Sequence, residues 1–218
     1  MTSRDQSKSP RSQDVLRGWS DGSCSLRGEC IGWHAFIRDT EDRFVESARG
    51  SMETWNKRRG MTPMSAELAG VYTAACLCYN YLSRMQCEHG QELVQLFSIE
   101  LFCDNLNAAE LAQKAVENNA WLPWIHSTGA HHLEPLCQLL HDKFSELLHL
   151  GIETIIISRN YRGRKSRKIG YCDQGAKDAR WYGVPIDDCC IEVRGGMRRS
   201  IGEFQRRPRE EQKVMMAF

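Results

Sequence analysis

Apolar residues recur along the chain with two periods. Between residues 15 and 52, short stretches rich in β-branched and aromatic residues, "VLRGWSDGS", "ECIGWHAFIRD" and "RFVESARGSM", are bounded by Gly or charged residues and predict three strands. Short links between consecutive strands imply an antiparallel meander. After "TWNKRRGMTP" the period changes: Leu68, Val71, Tyr72, Ala75, Cys76, Tyr79 and Leu82 recur at three- and four-residue steps and predict one face of a long helix, with Ser65 as its N-cap after Pro63. "QLFSIELFC" predicts a fourth strand and "NAAELAQKAVENN" a helix. In "HLEPLCQLLHDKFSELLHLG" the stripe of Leu133, Leu136, Leu140, Phe144 and Leu147 predicts another helix that stops at Gly151. "IETIIIS" reads as a fifth strand whose unbroken apolar run predicts burial on both faces, and "YCDQGAKDARWYG" as a final helix. The order, three strands and then helices alternating with strands, predicts an α/β fold with a mixed five-stranded sheet flanked by helices.

Composition sharpens this picture without changing it. With 218 residues, 41% apolar and 26% charged, the chain has the size and composition of one globular domain. The expected division is a polar arm over residues 1–13, a domain over 14–183 and an extension over 184–218. No run approaches 18 apolar residues and the first 14 are polar, so neither a membrane span nor a secretory signal is expected, and the protein is expected inside the cell, in cytoplasm or nucleus. Several of the ten cysteines lie within apolar stretches such as "AACLCYNYL", which suits reduced core residues better than a disulfide framework. No CxxC pair occurs, and no structural zinc is expected. The net charge of +1 requires any nucleic-acid affinity to come from local clustering. One cluster exists: Arg159, Arg162, Arg164, Lys165, Arg167 and Lys168 fall within ten residues of a basic loop, a candidate phosphate-tracking edge. In "WLPWIHSTGAHH", Trp121 and Trp124 read as packing anchors.

Four carboxylates stand at the ends or first turns of these elements. Asp21 lies where the first strand gives way to "GS", Glu67 in the first turn of the long helix, Asp104 at the end of the fourth strand and Asp173 at the start of the last helix. Singly, each has a plain reading: Glu67 and Asp173 as favourable charges at helix N-termini, Asp21 with Gly22 as an ordinary turn. A carboxylate beside Leu101 and Phe102 needs exposure or a cationic partner, since burying it alone costs several kcal/mol.

In order and placement, "SDGS", "SAEL", "CDN" and "CDQGA", with the strand "GWHAFI" between the first two, resemble the type 1 ribonuclease H family over residues 15 to 182. The resemblance implies a ribonuclease H-like fold, with a retroelement-related descent, in which Asp21, Glu67, Asp104 and Asp173 converge and bind two Mg²⁺ ions, Mn²⁺ being able to substitute. The implied activity is metal-dependent endonucleolytic hydrolysis of the RNA strand of RNA–DNA hybrids by a monomer. It also implies nucleic-acid contacts from Gly22, Ser23, Cys24 and Asn105, joined by Arg159, Asn160, Arg162, Arg164 and Lys165 of the basic loop. Where the family often carries a His in the loop after the fifth strand, this chain has none; Arg159 or Asn160 is nearest. The alternative is a catalytically weak domain of the same fold that binds nucleic acid or serves as a scaffold.

Overall fold

The computed structural model describes residues 14–26, 30–54, 61–117, 120–152, 154–159, 167–182 and 197–199. Strands β1 (Asp14–Cys24), β2 (Cys30–Arg38) and β3 (Phe44–Thr54) form the antiparallel meander. β4 (Phe97–Cys103) lies parallel to β1 on its other side, and β5 (Ile155–Arg159) parallel to β4, giving the order β5-β4-β1-β2-β3. The five expected strands are extended by a sixth, β6 (Met197–Arg199), antiparallel to the end of β3. Its three residues fall within the charged C-terminal stretch, where no period announces a strand.

The helix α1 (Pro63–His89) packs on β1 and β2 with one side and on α5 (Glu134–His149) and α3 (Leu106–Val116) with the other. It is therefore buried all round from Ser65 to Cys78, and not only along the stripe that its spacing predicts. Small residues permit this; a Cβ on Gly70 would stand 3.2 Å from the Asp21 carbonyl oxygen. The N-cap is Thr62 and not Ser65, because Pro63 already occupies the first helical position. Ser65 completes a capping box: its N–H donates to Thr62 Oγ1 (3.1 Å), and its hydroxyl accepts from the Thr62 N–H (3.4 Å). Thr62→Ala is expected to lower stability by about 1 kcal/mol, or about 3 °C in a chain of this size, measured by thermal melting.

A short helix, α2 (Gln91–Val94), precedes β4. "WLPWIHSTGAHH" folds as α4 (Trp121–Thr128), closed by Gly129 in the left-handed region (φ 68°), and a 3-10 turn, His131–Leu133. Trp121 is 1% exposed and Trp124 packs on the core, in keeping with their reading as anchors. All eight cysteines among the described residues are free, and Cys76, Cys78, Cys103, Cys137 and Cys172 are buried as small apolar groups. Burial pushes the Cys137 thiol up to about 12. Cys189 and Cys190 lie outside the described residues.

On the opposite sheet face, α6 (Arg167–Tyr182) packs on β1, β2 and β3. It closes a second apolar cluster, Trp19 and Phe36 with Ile169 and Cys172, and Phe102 packs at its rim. Burial of β5 on both faces does not occur: Ile155 and Ile157 are buried, but Ile156 between them is 46% exposed, because α6 covers its face of the sheet over β1, β2 and β3. The side-chain oxygen of Gln113 accepts the Ile157 N–H (2.8 Å), occupying an edge position that another strand could otherwise bond.

Candidate metal centre

Successive residues of a strand point to opposite sheet faces, and β1 uses this to part a helix seat from a carboxylate. Gly18 and Gly22 face α1, while Trp19 packs under α6, so Asp21 lies on the α6 face, opposite His34 of β2. Asp21 and Gly22 are consequently inside a strand that runs to Cys24, not in a turn. Asp21 is 2% exposed, and its Oδ1 accepts the Gly22 N–H (2.8 Å).

Glu67 is the fifth residue of α1 and 6% exposed. What brings it to β1 is the missing side chain of Gly22. A Cβ there would stand 2.3 Å from the Ala66 carbonyl carbon and 2.4 Å from the Glu67 nitrogen, closer than packed atoms approach. Asp104 follows the last residue of β4 and is half-buried. The result is one group: a carboxylate oxygen from each of Asp21, Glu67 and Asp104 lies within 4.8 Å of the other two.

Electrostatics follow from that closeness. Burial first, then the charges of Asp21 and Asp104 and a hydrogen bond with Asp21, hold the Glu67 carboxyl well above its ordinary value, against a smaller downward pull from the Gly22 N–H. The same carboxylates reinforce the effect of burial on the neighbouring thiols Cys103 and Cys172. A hard divalent cation suits the donor set, which is all carboxylate oxygen, and Glu67 Oε2 is buried with no hydrogen-bond partner. Because its folded pKa is raised, Glu67 contributes stability that is fully present below the ordinary value of 4.5 and is lost as pH rises through the raised value. Glu67→Gln is therefore expected to melt higher than the parent near pH 8 in chelator and about equally near pH 4. Mg²⁺ is expected to raise the melting temperature of the parent and not of the variant; thermal denaturation at the two pH values checks both.

Asp173 does not join this group. It stands in the second turn of α6, not at its start, because the helix begins at Arg167, and its Oδ2 accepts from Lys177 Nζ (2.8 Å). Arg167 and Lys168 likewise belong to α6 and not to a loop; Lys168 pairs with Asp42 (2.5 Å) and lies 4.1 Å from the Trp19 ring centroid.

Among the positions expected to touch nucleic acid, Gly22 is taken up by its contact with α1. Ser23 is buried. The Cys24 thiol donates to the Met61 carbonyl (3.3 Å), and its own carbonyl accepts from Arg180 (2.6 Å). Asn105 caps α3, its Oδ1 accepting the Ala108 N–H (3.2 Å), and with Asp104, Leu106 and Asn107 it lines an open hollow. Arg159 ends β5 opposite Cys103, one residue from Asp104. Asn160, Arg162, Arg164 and Lys165 lie outside the described residues.

His34 carried no signal in the sequence, where "GWHAFI" reads only as alternation. It is buried opposite Asp21, its ring 4.9 Å from that of Tyr171, and the missing Cβ of Gly175 leaves room for its Nδ1, 2.2 Å from where that Cβ would stand. Burial holds its pKa down, and the Arg49 charge adds to this against the opposing pull of the Tyr171 backbone and Asp178.

A meander of three strands continued by two parallel ones, in the order β5-β4-β1-β2-β3, with carboxylates on β1, at the head of α1 and after β4, is the ribonuclease H-like fold. Solved structures similar to this chain include two RNase H proteins and a viral reverse transcriptase. The N-terminal RNase H domain of Rv2228c from Mycobacterium tuberculosis is 13% identical with a TM-score of 0.46, over 77% of this chain and 94% of that one. RNase H1 from Halobacterium salinarum is 14% identical with a TM-score of 0.44, over 76% and 96%. The foamy viral protease-reverse transcriptase in complex with an RNA/DNA hybrid is 13% identical with a TM-score of 0.47, over 83% of this chain and 22% of that one. No family model matches the sequence, and no curated protein matches it. Likeness of this degree says nothing of what the chain acts on.

Proposed function

We propose that the chain is a divalent-metal-dependent nuclease that hydrolyses the RNA strand of RNA–DNA hybrids. The observation that carries this reading is the meeting of Asp21, Glu67 and Asp104, from three separate elements, around a buried Glu67 oxygen that nothing else satisfies. These three would hold Mg²⁺, or Mn²⁺ in its place, with Asp173 as a fourth ligand once its carboxylate leaves Lys177. Such ions, held by these residues, would supply the Lewis acidity that phosphodiester hydrolysis needs. The chain's own part is to hold three carboxyl groups in one place: Gly22 orients Asp21 and admits α1, and α1 presents Glu67 from a capped, rigid end. The basic segment that leaves β5 at Arg159 starts beside Asp104, so Arg159, Asn160, Arg162, Arg164 and Lys165 are proposed to follow the phosphates of the hybrid, with Asn105 at the rim. The proposed protein is a monomer working in cytoplasm or nucleus, its domain spanning 14–183 with an extension over 184–218. No helix among the described residues is long and apolar enough to cross a membrane.

One observation favours a second reading. Asp173 is engaged by Lys177 and stands outside the three-carboxylate group, as it would in a domain that binds hybrid without cutting it. A labelled RNA–DNA hybrid, with single-stranded RNA and duplex DNA as controls, distinguishes the two. Cutting confined to the RNA of the hybrid, dependent on Mg²⁺ or Mn²⁺ and abolished by chelator, is the expected result. Binding without cutting in either metal would replace the nuclease with the binding module, and absence of binding would remove both.

A further inference from the structure

α6 meets the sheet in two different ways along its length. At Gly32 the strand gives way: a Cβ there would stand 2.3 Å from the Ala176 carbonyl oxygen and 2.4 Å from the Arg180 nitrogen, so the helix backbone rests directly on β2. Two residues on, the helix gives way instead. The His34 imidazole fills the space that a side chain on Gly175 would need, with Nδ1 at 2.2 Å, Cγ at 2.6 Å and Cβ at 3.0 Å from the position of that Cβ. The ring is 5% exposed and edge-on to Tyr171. Its Nδ1 is buried and makes no hydrogen bond, although the Tyr171 backbone lies close enough to act on the ring's charge, so shape holds the ring in place. α6 is therefore down on the backbone at Gly32 and held off it by one ring at His34.

Asp173 stands at the held-off end. Tyr171 and Gly175 are about one turn apart and share the flank of α6 that meets His34, so Asp173, midway between them, lies on the opposite flank. Its neighbour Cys172 is tied to β1, the thiol donating to the carbonyl of Trp19 (3.4 Å), two residues before Asp21. Asp21 and His34 face each other in register across β1 and β2. The turn that carries Asp173 thus lies over this pair, and its height there depends on how far the ring keeps α6 from the sheet.

We propose that His34 is a positioning residue: as a spacer keyed into the notch at Gly175, it sets where α6 carries Asp173 relative to Asp21, Glu67 and Asp104. This rests on the reading of Asp173 as a fourth metal ligand. Two motions are separable there. The carboxylate can leave Lys177, its partner four residues on in the same helix, by turning about its own side-chain bonds, whereas the backbone beneath it moves only if α6 moves. His34 governs the second. It is not one of the residues whose ligand atoms meet in the carboxylate group, so its part is support and not coordination.

Mn²⁺ binding to the full chain, followed by the paramagnetic resonance signal of the free ion, tests this without reference to cleavage. Gly175→Ala drives a methyl into the ring and His34→Ala removes the spacer; each is expected to weaken Mn²⁺ binding about tenfold, the scale on which groups that support metal ligands act. In His34→Ala/Gly175→Ala the nearest atom at position 34 is a Cβ 3.0 Å away, which a shift of a few tenths of an ångström relieves, and affinity is expected to recover toward that of the parent. In an Asp173→Asn background, Gly175→Ala is expected to leave affinity unchanged, because the carboxylate it would displace is gone. Circular dichroism checks that each variant is folded, and His34→Ala, which only opens space, carries the test if Gly175→Ala does not fold. The inference is overturned if the parent binds Mn²⁺ and the folded single variants bind it equally well, or if Gly175→Ala weakens binding as much in the Asp173→Asn background as in the parent. A parent that binds no Mn²⁺ overturns the metal centre itself, a failure distinct from the other two.

Discussion

Asp104→Asn is expected to keep the fold and to lose Mg²⁺-dependent cleavage of the hybrid by about 10²–10³-fold, the scale on which one group of a preorganised electrostatic site contributes. The fold survives because Asp104 follows β4 half-buried and supports no described packing of the core. Its charge in fact raises the Glu67 pKa, so the neutral amide relieves repulsion in the metal-free protein. Two measurements separate the outcomes: the melting temperature in chelator should be equal to or above that of the parent, and the cleavage rate should fall. A variant that cuts at the parental rate would show that the three carboxylates meet for structural reasons alone, and the nuclease reading would go with it.

Gly22→Ala is expected to cost about 3 kcal/mol, at the upper end of ordinary overpacking, and to lower the melting temperature by about 6–12 °C. The atoms in the way are the backbone of Ala66 and Glu67, which cannot swing aside as a flexible side chain can. The helix must retreat from β1 and take Glu67 with it, so the stabilisation by Mg²⁺ is expected to shrink in the same variant. Gly170→Ala is the control: nothing lies within 4 Å of the added methyl in α6, and a small gain in stability is expected there. Equal melting of Gly22→Ala and the parent would show that α1 is not held against β1 through this contact.

The misread elements were those whose signal depends on a neighbour far along the chain. The sequence puts the start of the final helix at Tyr171, after the charges of the basic loop. Ile169 and Cys172, three residues apart, meet Trp19 and Phe36 instead and draw the helix back to Arg167, which moves Asp173 from its first turn to its second. The run "IETIIIS" could not show which helices cover each face of its strand, a matter of packing and not of local pattern; Ile156 is exposed because α6 lies over β1, β2 and β3. The N-cap, read as Ser65, was by contrast misread for a local reason. Pro63 suits the first helical position, so the residue before it is the cap.

From residue pattern alone came the strands of the meander, the α/β alternation and the carboxylates of "SDGS", "SAEL" and "CDN", because a period of two or of 3.6 and a chemical type are local properties. Which of four acids meet, what their meeting does to Glu67, and that Gly22 serves as a seat for a helix were decided only by three dimensions. Repulsion between carboxylates and collision with a missing Cβ depend on distances between residues 37 or more positions apart in the chain, and no stretch of sequence carries those distances.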